Sequence, residues 1–100
     1  MTPGLTIYLV TYRHAEENHV LYRNILAGQS GALFSRRIRE YFATLILDGL
    51  KDYPQQTGSI PPEVLANYIA GAELAMFTWW LENDRPYAPE QMAQMVHRRR

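Results

Sequence analysis

The sequence predicts an all-α fold, a helical bundle of about five helices, and three observations carry that expectation. Every long segment after Gly28 repeats its apolar residues at i, i+3, i+4 and i+7. The stretch from Pro61 to Asp84, PPEVLANYIAGAELAMFTWWLEND, is apolar almost all round and so must be buried almost all round. The one run with strand propensity, LTIYLVTY at residues 5–12, has no partner strand later in the chain.

That first run is β-branched and aromatic, and propensity alone makes it a strand. Leu5, Tyr8, Leu9 and Tyr12 also keep helical spacing, and without a partner the helical reading prevails, through about Ala15. Residues 17–27, ENHVLYRNILA, place acids in front of Val20, Leu21, Ile25 and Leu26, and Gly28 is a natural stop. Ser30 can cap a third helix, in which Leu33, Phe34, Ile38, Tyr41, Phe42, Leu45 and Ile46 form one apolar stripe. Gly49 and Pro54 are expected to end it, and PQQTGSIPP, residues 54–62, is the clearest loop.

Pro61 and Pro62 suit the first turn of the fourth helix, where a missing N–H costs nothing. Val64, Leu65, Tyr68, Ile69, Ala72, Ala75, Met76, Trp79 and Trp80 share a broad apolar face, wide enough for a full core. Beside it runs a second strip of Ala66, Ala70, Leu74, Phe77 and Leu81. One core cannot use both faces, so a second copy of the chain is expected to cover the second strip. After the tight RPYAP connection, Pro89 opens a last helix with Met92, Ala93, Met95 and Val96 facing inward.

One hundred residues make a single small domain, able to bury roughly 60–65% of its unfolded surface. An apolar fraction of 47% excludes a disordered chain. Ten basic residues balance ten acidic ones, so nothing draws the chain to nucleic acid or to anionic lipid by net charge. The absence of cysteine removes disulfides and thiolate metal sites, which suits a cytoplasmic protein. No stretch has the form of an export signal or a membrane span.

Candidate chemistry is sparse. Glu16 and His19 make one Glu-x-x-His, where a di-iron bundle needs two such pairs and two further glutamates. His97 has Gln94 in the glutamate's place, so no metal, cofactor or catalytic residue is expected and the chain is not read as an enzyme. Arg36, Arg37 and Arg39 beside Glu40 form a solvated face, Arg36 and Glu40 being an i, i+4 pair. Glu73 stands at the edge of the broad face between Ile69 and Trp80, and a buried carboxylate needs a partner. An interhelical pair with an arginine is the plain expectation, and a polar anchor in a ligand cavity the sharper one.

Residues 60–98, with the Ile60-Pro61-Pro62-Glu63 start, the Tyr68-Ile69-Ala70-Gly71-Ala72 run, Trp79-Trp80-Leu81-Glu82-Asn83 and the Pro86-Tyr87-x-Pro89-Glu90-x-Met92 turn, resemble the closing two helices of the C-terminal domain of TetR/AcrR-family transcriptional regulators. ENHVLYRNILAG followed by an arginine-rich helix is similar to the middle of that domain. The resemblance implies an effector-binding and dimerisation domain whose final two helices pair with their symmetry mates. It also implies an N-terminal helix-turn-helix domain that residues 1–100 do not include, through which alone DNA would be bound.

On this reading the interface candidates are Ala66, Ala70, Leu74, Phe77 and Leu81 with Met92, Met95 and Val96. The small residues would allow close approach of helices, Gly71 among them, and the large ones would supply apolar contact. A pocket for a small apolar or aromatic effector is expected between the first helix, the third helix and the broad face of the fourth. Its candidate lining is Tyr8, Tyr12, Tyr41, Tyr68, Glu73, Met76 and Trp79, with His14 as a further polar contact, because Tyr and Trp carry polar tips that a plain core would not need. The alternative function is a freestanding helical protein-interaction module.

Overall fold

A computed structural model describes residues 3–51 and 58–98 of the chain. The described residues form five helices: α1 (Pro3–Glu17), α2 (His19–Ala27), α3 (Gly31–Lys51), α4 (Pro62–Glu82) and α5 (Pro89–His97). The strand propensity of LTIYLVTY is overridden as expected, and Tyr8 and Tyr12 turn the buried side of α1 to the core.

Each boundary has a local cause. Asn18 folds its side-chain amide back to donate to the His14 carbonyl at 2.9 Å, closing α1 one residue before α2 begins. α2 ends at Gly28, whose backbone is extended. The corner into α3 needs Gly31, because a Cβ there would lie 2.2 Å from the Leu26 carbonyl oxygen. Gly49 does not stop α3, which continues to Lys51; the stop expected at Pro54 and the loop residues 54–57 lie outside the described residues. Pro62 opens α4 with Glu63 beside it in the first turn, where a carboxylate suits the positive end of the helix. In α5, Pro89 takes the first position and the Gln91 side chain accepts the Ala88 N–H at 2.8 Å.

The elbow between α4 and α5 is tightly built. Asp84 and Arg85 both adopt left-handed backbone, with φ of 60° and 53°. The Arg85 N–H returns to the Trp80 carbonyl at 2.7 Å, which closes the helix end, and the Trp80 indole donates to the Tyr87 carbonyl at 2.8 Å. The Arg85 side chain then reaches Glu16 at the end of α1, at 2.6 Å.

α1 packs on α5 and α3 on α4, with α2 bridging α3, α4 and α1. The core is aromatic: Tyr12 sits 5.0 Å from Trp80 and 5.5 Å from Phe77 in edge-to-face geometry, and Tyr22 adds a further edge contact to Phe77 at 5.8 Å. Leu81, Met92, Ala93 and Val96 complete it. The molecule measures 40 × 31 × 17 Å, so its thinnest dimension holds only two helices of about 10 Å diameter. A slab this thin cannot cover α4 on every side.

Candidate functional site

The helix apolar all round is buried on one side only. Ala66, Ala70, Glu73, Phe77, Trp80 and Leu81 of α4 face the interior. Val64, Tyr68, Ala72, Ala75, Met76 and Trp79 form an exposed stripe. At about 100° per residue the centres of these two sets lie roughly 150° apart.

This placement divides both sets of candidates drawn from the sequence. Of the expected interface residues, Ala66, Ala70, Phe77, Leu81, Met92 and Val96 are buried within the chain's own core, Leu74 is half-buried and Met95 is exposed. Of the small residues, Ala66 meets α3 of the same chain, whereas a Cβ added at Gly71 would meet nothing within 4 Å. Of the expected pocket residues, Tyr8, Tyr12 and Glu73 are buried, whereas Tyr41, Tyr68, Met76 and Trp79 are exposed, Tyr68 to 77%. Where α1 and α4 meet, the Tyr12 ring packs edge to face on Phe77 and on Trp80. His14 lies at the surface, its Nδ1 2.7 Å from the Tyr22 hydroxyl.

The physical reason is that an all-round apolar helix carries no directional preference of its own. Which face turns inward is set by its neighbours, here α3 against the small residues and Tyr12 against the large rings.

Glu73 is 3% exposed and accepts a hydrogen bond from the Tyr8 hydroxyl, 65 positions away, where the sequence had suggested an arginine. Tyr12 stands in the same cluster. Its phenol is held well above the ordinary tyrosine range, first by burial, then by the negative charge of Glu73 and by Tyr8. Burial raises Tyr22 as well.

A groove of about 430 Å³ opens where α4 meets α5. α4 lines it with Ala72, Glu73, Met76 and Trp79, the elbow with Tyr87, and α5 with Met92, Met95 and Val96. Glu73, Met76 and Trp79 thus line one groove, against α5 and not against α1 and α3. Tyr87 was missed as a lining residue; its signal was an aromatic between two prolines in a short turn. A second, smaller groove of about 250 Å³ runs between α3 and α4 over Ala43, Leu47 and Ala66, flanked by Glu40 and Glu63. Among the described residues no group of three or more His, Cys, Asp or Glu is arranged to hold a metal ion.

The model of the family TetR_C_8, described as "Transcriptional regulator C-terminal region", matches residues 5–99. No curated protein matches the chain, and no solved structure does.

Proposed function

The chain belongs to the family of TetR-type transcriptional regulator C-terminal regions, and from that premise we propose that it is the homodimerisation and small-molecule-sensing half of such a regulator. The observation that carries the dimer is the exposed apolar face. Val64, Tyr68, Met76 and Trp79 on α4 continue into Tyr87 and Met95, and each is more than 40% exposed. A contiguous apolar surface of this kind marks an interaction site. A second copy presenting the same face about a two-fold axis covers it with chemistry identical to its own. The interface moves accordingly from the strip of Ala66, Ala70 and Phe77 to the stripe on the other side of α4.

DNA is then bound by a helix-turn-helix domain joined to this one, and the effector, apolar in most of its surface, acts by favouring one arrangement of the two copies. Work on DNA places the regulator in the cytoplasm. No helix among the described residues is long and apolar enough to cross a membrane.

Sedimentation of the purified chain tests the proposal. The wild type should run as a dimer, and Trp79→Glu, at an exposed position, should give a monomer with unchanged helical circular dichroism. A wild type that is monomeric at high micromolar concentration, or a Trp79→Glu variant that stays dimeric, refutes this interface.

A further inference from the structure

Three of the chain's four methionines line one groove, and the chain has no cysteine. Met76 comes from α4, Met92 and Met95 from α5, so three thioethers gather where the two helices meet. Among the described residues no group of three or more His, Cys, Asp or Glu competes for a metal ion. A thioether is a soft and neutral ligand. It selects soft monovalent metal, Cu(I) above all, and leaves magnesium and calcium to oxygen donors.

Met92 and Met95 stand three positions apart on α5, hence on one face with Cβ atoms about 5–6 Å apart. Met92 is 1% exposed and forms the floor of the groove. Met76 and Met95 are 42% and 48% exposed, and their unbranched chains can each swing a sulfur toward that floor. A groove of about 430 Å³ leaves room for the movement. Trp79, three positions after Met76, lies on the same side of α4 and offers an indole face, the best aromatic partner for a cation. Neutral sulfurs leave a bound ion its full positive charge, which the indole then meets. Glu73 is engaged by Tyr8 and is not counted among the ligands.

We propose that Met76, Met92 and Met95 bind a soft monovalent metal ion, Cu(I) in a cell, with the Trp79 ring against its open side. All four residues belong to one chain, so the site stands whether or not the chain dimerises. It lies on the face that the dimer reading covers. An ion bound there enters the interface, and any change it makes in association is returned as an equal change in its own affinity.

The test titrates the intact, tag-free chain, its methionine methyls labelled with ¹³C, with silver nitrate in chloride-free buffer. Ag(I) stands in for Cu(I) because it has the same charge and softness and does not oxidise in air. The methyl signals of Met76, Met92 and Met95 and the Trp79 indole signal should shift together to one endpoint. The chain should hold Ag(I) at least about 10²-fold more tightly than free methionine does, because converging ligands act at a high effective concentration. Met76→Leu and Met95→Leu, close in volume and at exposed positions, should each weaken binding more than about tenfold, since losing even a residue that merely supports a metal ligand costs about 10–100-fold. Helical circular dichroism should stay that of the wild type in both. Affinity no better than that of free methionine, a shift confined to one methyl, or binding that survives both leucine substitutions overturns the proposal. The same signals from a chain that sediments as a monomer support the site and refute only the dimer reading.

Discussion

Replacing Phe77 by Ala and, separately, Tyr68 by Ala distinguishes the inner face of α4 from the outer. The Phe77 ring is fully buried, 5.5 Å from Tyr12, 5.8 Å from Tyr22 and 6.5 Å from Trp80. Truncation of a buried Phe costs about 3–5 kcal/mol, and three lost ring contacts place this site in the upper half, about 4–5 kcal/mol. Each kcal/mol lowers the melting midpoint of a domain this size by about 4–8 °C, so Phe77→Ala should melt roughly 16 °C or more below the wild type.

Tyr68 is 77% exposed, and its truncation should change the stability of the single chain by no more than about 0.5 kcal/mol. Its effect falls on association, where losing an aromatic anchor of about 1–2 kcal/mol weakens the dimer roughly 5- to 30-fold. Association itself raises the melting point by mass action, so melts are compared at the lowest concentration that gives a signal, with sedimentation across a hundredfold range. A Phe77→Ala variant that melts with the wild type but no longer associates would refute the reasoning. So would a Tyr68→Ala variant that unfolds, since either result turns α4 the other way round.

Two further predictions concern the core and its corner. Tyr12 keeps its proton in the fold above the ordinary value of 10.0 that holds in the unfolded chain. Below that value both states are neutral and the contribution is intact; above it the unfolded chain ionises first and stability falls as pH rises toward the folded value. The urea midpoint should therefore hold steady through pH 9 and drop beyond about 10, less steeply in Tyr12→Phe; equal slopes in the two proteins would count against Tyr12 as the source. Gly31→Ala places a methyl group against the Leu26 carbonyl and forces the α2–α3 corner to move, at a cost of about 1–3 kcal/mol. An unchanged urea midpoint in that variant would show the corner to be looser than its geometry.

The helices themselves were legible in the sequence because periodicity and the lack of a partner strand are local facts. Leu5, Tyr8 and Tyr12 outvoted the propensity of their neighbours for this reason. Ends were less legible: Gly49 lies inside α3, where the cost of about 1 kcal/mol for a helical glycine is outweighed by packing against α4. The choice between the two faces of α4 was not legible at all. Ala66 and Ala70 look equally suited to a partner copy and to α3, and only the presence of α3 on that side decides. The Tyr8–Glu73 hydrogen bond was invisible for a related reason, since it joins residues 65 apart whose meeting depends on how α1 lies across the bundle.

The bridge from Glu16 to Arg85 makes the groove a caliper read from outside. Two left-handed residues hold the α4–α5 elbow, and the Arg85 guanidinium that pins them is fastened to the last turn of α1. The elbow is thus tied to α1 as well as closed on itself, although α1 contributes no residue to the groove's lining. Cutting the tie with Glu16→Ala should therefore shift the NMR signals of Trp79 and Met95, although no residue of the groove itself is changed.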